Sequence, residues 1–81
     1  MNAIQCKLAR VALGWGVREL ATAANVSTQT ISRLERGELL RDATLNGIKH
    51  VFEVAGIEFI ENSSDGFGII INKPHSPLAD R

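Results

Sequence analysis

Between Ser27 and Arg36 the chain presents short hydroxyls, one carboxamide and two guanidinium groups, namely Ser27, Thr28, Gln29, Thr30, Ser32, Arg33 and Arg36, with no acid before Glu35. These groups suit recognition rather than bond breaking. A carboxamide can form two hydrogen bonds with an adenine edge and a guanidinium two with a guanine edge. Gln29 and Arg33, one helical turn apart, are therefore candidates to read bases in a major groove, supplemented by Ser27, Thr28 and Ser32. Any surface helix has a polar face, but such faces usually interleave Glu and Lys at four-residue spacing, and this one does not. It is suited to meeting an anion. The inventory for catalysis is poor: one cysteine, two well-separated histidines (His50 and His75), no Gly-rich phosphate loop, no metal-ligand spacing and no Ser-His-Asp set. The sequence therefore predicts no catalytic residue, no cofactor and no metal.

The elements that must position this face lie between Gly16 and Gly37, GVRELATAANVSTQTISRLERG, which read as two short helices joined by a tight turn. Leu20, Ala21 and Ala24 share one face of the first of these helices and must be buried. Ala21 is small enough to let two steeply crossing helices approach. Asn25 stands where the chain reverses, and Asn tolerates the left-handed conformation found just past a helix end. Val26 fills the corner, and Ser27 is a suitable N-cap for a helix whose apolar residues are Ile31 and Leu34 and which Gly37 ends.

With Leu20, Ala21, Val26, Ser27, Ile31, Ser32, Leu34, Glu35 and Gly37 at these spacings and Arg10 upstream, the segment from about Lys7 to Ile57 resembles the helix-turn-helix of the Cro and phage-repressor type, the xenobiotic response element family of bacterial and phage regulators. The resemblance implies a mainly α, repressor-like domain of four or five helices that binds double-stranded DNA sequence-specifically and regulates transcription as a repressor. It also implies an ion pair between Arg10 and Glu35. Two positions depart from the family pattern. Val17 replaces a frequent Gln and loses a side-chain phosphate contact, with Arg18 beside it as a substitute; Asn25 replaces a frequent Gly and is conformationally equivalent. Val17 and Arg18 offer helix N-terminal amides to a phosphate, and Arg36 and Arg41 are expected to contact the DNA backbone on the other side. Because a fold does not establish a function, a protein-interaction module of the same fold, such as an antitoxin gripping a toxin, is the alternative.

Length and composition bound the rest. The chain has 81 residues, 44% of them hydrophobic, enough for one small domain with one core. Cys6 has no partner for a disulfide, and with no signal peptide or long apolar run the sequence predicts a cytoplasmic protein with no membrane span. The net charge is zero, but residues 1–56 carry seven basic and five acidic side chains, a balance of plus two, and the remainder carries minus two. The expected organisation is a helix-turn-helix domain over 1–56, a β-hairpin over 57–72 and a flexible tail over 73–81.

The first helix is expected over Ala3–Leu13, capped by Asn2 and stopped by Gly14, with Cys6, Arg10 and Leu13 facing inward and Trp15 as a lid. A guanidinium on an inward face needs a partner, for which Glu35 is the candidate. Asp42 is expected to cap a helix over Ala43–Ala55, with Leu45, Ile48, Val51, Phe52 and Ala55 on the core side; Gly47 within it signals either close packing or tolerance. His50 reads as a surface residue. Ile57–Glu61 and Ile69–Ile71 read as strands, with Asn62–Gly66 as the turn. Such a ribbon is marginal alone. It must either fold back on the last helix or pair with a second copy through Ile57, Phe59, Ile60 and Ile69–Ile71, so a homodimer is expected.

Overall fold

A computed structural model describes residues 1–63 and 66–72 of the chain. Four helices are followed by one antiparallel hairpin: α1 (Ala3–Ala12), α2 (Val17–Ala24), α3 (Thr28–Glu35), α4 (Asp42–Val54), β1 (Ile57–Ser63) and β2 (Gly66–Ile71). The fold is mainly helical, as expected.

Helix α1 starts at a capping box. Asn2 Oδ1 accepts from the Gln5 N–H at 2.8 Å while Gln5 Oε1 accepts from the Asn2 N–H at 2.9 Å, satisfying two amides that the first turn would leave bare. The helix ends one residue before Leu13, which is its C-cap. Cys6 and Ala9 face inward, with Arg10 and Leu13 half-buried beside them, whereas Ile4, Leu8 and Val11 are exposed.

The α2–α3 turn follows from two residues. Ala21 is buried, which allows the helices to approach, and Asn25 adopts φ 56°, ψ 45°. This left-handed residue lets the Val26 N–H reach Ala21 O at 2.9 Å, closing the end of α2 and turning the chain. Helix α4 begins one residue earlier than expected. Arg41 occupies the cap position and Asp42 is the first helical residue, where its carboxylate still complements the helix dipole. A Cβ on Gly47 would meet nothing within 4 Å, so no close packing requires glycine there.

In the hairpin, Ile57 pairs with Ile71, Phe59 with Ile69 and Ile60 with Gly68; the register then shifts before Ser63 pairs with Gly66. Two residues of β1, 61 and 62, thus oppose Phe67 in a β-bulge. Residues 62 and 63, expected in the turn, belong to β1, while Ser64, Asp65 and the expected flexible tail 73–81 lie outside the described residues.

The hairpin folds back onto α1 and α4. Ile57 is 2% exposed, and Phe59 and Ile69 pack against the core. Phe52 joins the layers, stacking on Trp15 with ring centroids 6.0 Å apart and meeting Phe59 edge-on at the same separation. The Gln5 side chain, fully buried, donates both amide hydrogens to the hairpin, to Ile60 O and Gly68 O, each at 2.9 Å. Residues 57–72 therefore share the core of 1–56. Ile57, expected at a subunit contact, is instead a core residue of its own chain.

Candidate nucleic-acid interface

Among the described residues, helix α3 is held from one side only. Ile31 and Leu34 are buried, and Ser27 caps the helix by accepting from the Thr30 N–H at 3.1 Å. Helical periodicity places Gln29, Ser32, Arg33 and Arg36 opposite the Ile31–Leu34 face. Gln29, Arg33 and Arg36 are exposed and Ser32 partly so; Thr28, exposed as well, flanks them at the helix start. The Ser27 hydroxyl lies at the mouth of the helix, already engaged by the Thr30 amide and within 3.0 Å of Thr30 Oγ1. Of the five residues expected to read bases, four lie on the outward side, Arg33 among them already bonded to Glu38, while Ser27 is occupied by its capping role.

The rear of α3 is fixed to α1. Arg10 Nε donates to Glu35 Oε2 at 2.8 Å and Arg10 Nη2 to Glu35 Oε1 at 2.9 Å, a bidentate ion pair. The third nitrogen, Nη1, donates to Trp15 O at 3.1 Å, so one guanidinium links α1, the α1–α2 connection and α3. Cys6 Sγ also donates to Glu35 Oε2, at 3.6 Å. Burial, followed by the Glu35 charge, pushes the Cys6 thiol up to about 12, and Cys6 is a buried, protonated core residue.

The candidate phosphate contacts surround this face. Val17 and Arg18 form the first turn of α2, whose leading amides have no intrahelical acceptor. Glu19, in the same turn, accepts from the Gly16 N–H at 2.7 Å. Arg41 lines a shallow depression with Arg33, Thr30 and Thr44, bringing it beside the recognition face.

Sequence reasoning missed one residue of this surface. Glu38 Oε1 accepts from Arg33 Nε at 2.9 Å, and Glu38 Oε2 accepts from Arg36 Nη2 at 2.9 Å and from Arg36 Nε at 3.3 Å. The two guanidinium groups hold its carboxyl below the usual carboxylate range, with the Arg33 hydrogen bond the larger cause. Its signal was Gly37, which ends α3 with φ 92° and so fixes where the next side chain falls.

A helix-turn-helix family model matches residues 7–51, covering α2, α3 and the segments that buttress them. The chain belongs to the Cro/C1-type helix-turn-helix family, also called the xenobiotic response element family. Comparison with curated proteins returned no match. Membership in this helix-turn-helix family supports a DNA-binding regulator in general. Among the described residues no helix is long and apolar enough to cross a membrane, and no group of three or more His, Cys, Asp or Glu side chains could hold a metal.

Proposed function

We propose that this helix-turn-helix protein is a sequence-specific repressor that binds double-stranded DNA with α3 in the major groove. The observation that carries the reading is the outward face of α3: Gln29, Ser32 and Arg33 stand together opposite the buried Ile31 and Leu34, on a helix held rigidly by Arg10 and Glu35. Gln29 pairs with adenine and Arg33 with guanine, while Thr28 and Ser32 add hydroxyl contacts and Ser27 lies at the groove edge. The Val17 and Arg18 amides receive a phosphate on one side, and Arg36 and Arg41 hold the backbone on the other.

One eight-residue helix reads only a few base pairs, and a chain of zero net charge gains little from nonspecific attraction. A second copy supplies both recognition length and affinity. The face proposed for it lies between α1 and β2, where exposed Ile4, Leu8, Val11 and Ile71 adjoin the half-buried Ile69. Among the described residues β2 is bonded along one edge only, to β1, and its other edge can continue the sheet into a partner.

Selection of binding sites from a random duplex pool tests the reading. The expected product is a palindromic motif, bound with an affinity that falls steeply as salt rises. Enrichment of no motif, together with salt-insensitive capture of a protein, would favour the protein-interaction alternative.

A further inference from the structure

The Arg33–Glu38–Arg36 cluster is anchored by the backbone. The Gly37 N–H bonds to Leu34 O at 2.9 Å and the Glu38 N–H to Arg33 O at 3.0 Å, the pair of bonds that defines a Schellman motif. In this motif the residue after the left-handed glycine lies over the residue five positions before it, and the two commonly make a hydrophobic contact. Here those positions are Glu38 and Arg33, and an ion pair takes the place of that contact. The backbone of Glu38 is therefore fixed beside Arg33, within reach of its guanidinium.

The atoms used matter. Arg33 is engaged through Nε, which leaves Nη1 and Nη2 as a fork of the kind that pairs end-on with guanine O6 and N7. Arg36 is engaged through both Nε and Nη2, so most of its donor surface already faces a carboxylate. One negative charge thus lies at the end of the face that would approach the phosphates, and it offsets part of the charge of two cations there.

We infer that Glu38 is a positioning residue that sets specificity: it aims the free fork of Arg33 at a guanine and suppresses the attraction of Arg33 and Arg36 for phosphates of any sequence. The inference rests on the DNA-binding reading above. A phosphate that pairs with Arg36 through Nε or Nη2 competes with Glu38, whereas a guanine reaching the Arg33 fork need not. Random duplex is therefore disfavoured more than the cognate site.

The test uses the full chain with Glu38→Gln, which removes the charge, and Glu38→Ala, which also removes the acceptor. Both should bind random duplex about fivefold more tightly than wild type, with a salt slope steeper by about one unit, as expected for one carboxylate removed from a phosphate contact. Glu38→Ala should also lose severalfold discrimination at the guanine read by Arg33, and Glu38→Gln should lose less. In an Arg33→Ala background, Glu38→Ala should no longer alter base preference yet still tighten binding to random duplex through Arg36. A merely structural role would change thermal stability but would not produce this split. If wild type binds a selected site and both variants keep its random-duplex affinity and salt slope, the inference on Glu38 is overturned alone. If wild type selects no duplex, the DNA-binding reading falls and this inference with it.

Discussion

Arg10 and Glu35, 25 residues apart in sequence, form a bidentate pair at 2.8 and 2.9 Å with side chains only 13% and 11% exposed. Removing one partner leaves the other charge poorly solvated, which costs about 3–5 kcal/mol for a buried pair. Arg10→Met alone and Glu35→Leu alone should each lose about 3 kcal/mol, measured by urea unfolding. The double variant should lose distinctly less, because it leaves no orphaned charge. Single losses below about 1 kcal/mol would mean that the pair behaves like an exposed surface ion pair.

Cys6 gives a pH signature to the same junction. Its folded-state pKa, raised from 9.0 to about 12, means that the native chain keeps a proton the unfolded chain releases. The resulting stabilisation is complete below pH 9 and is lost as pH rises toward 12, with a slope of at most about 1.4 kcal/mol per pH unit. The stability difference between wild type and Cys6→Ala should therefore shift against wild type across this window. Alkylation of the native thiol at pH 8 should be far slower than in urea; equal rates would contradict the burial.

The residues that carried most local information were those with a single physical role. Asn25 at the reversal and Ser27 and Asn2 at helix starts were legible in the sequence, because conformational preference constrains them directly; the Arg10–Glu35 pair was legible through the family resemblance, together with the need of an inward guanidinium for a partner. Gln5 was not, since its burial depends on carbonyls 55 and 63 residues away; only the Asn2–Gln5 capping box was local. The exchange of Asp42 for Arg41 at the α4 cap is a one-residue ambiguity that side-chain type alone does not resolve. Residues 62 and 63 looked like turn by composition, but a bulge let β1 run through them. Glu38 was overlooked because an acid beside a basic face reads as surface charge until the Gly37 geometry places it over Arg33.

Gly47 sits inside α4, exposed, with open space where a Cβ would be. Glycine there carries only the entropic penalty of an unrestricted residue in a helix. Gly47→Ala should stabilise the protein by about 0.5–1 kcal/mol, measured as a higher urea midpoint at unchanged m. Any destabilisation would point to a partner covering this helix face in solution.

Base reading and backbone positioning should separate by mutation. Gln29→Ala should relax preference at one base position, at a cost of about 1–3 kcal/mol in discrimination, while the fold stays intact, since Gln29 is exposed. Arg41→Ala should weaken binding about equally for all sequences and lower the salt slope by about one unit. Selection with each variant checks base preference, and salt titration of each checks affinity and slope. Unchanged base preference in Gln29→Ala and Arg33→Ala alike would remove α3 as the reading element, and an altered preference in Arg41→Ala would move that residue into the base-reading set.

Dimerisation can be tested without disturbing the core, because the proposed contact face is solvent-exposed in the single chain. Val11 is 61% exposed and lies on the α1 side of the apolar strip that ends at Ile71, so a charge there costs little in the monomer but would have to be desolvated in a two-fold contact. Truncation after Gly56 is a poorer test, since it would remove Ile57 and the hairpin acceptors of Gln5 from the core. Wild type should sediment as a dimer and protect two half-sites about 34–36 Å apart, one turn of the duplex. Val11→Glu should keep its helicity and urea midpoint, sediment as a monomer and bind only single half-sites weakly. Wild type that remains monomeric at high concentration and on DNA would overturn the dimer and leave the strip to a different protein, whereas a Val11→Glu chain that still dimerises would place the two-fold contact elsewhere on the molecule.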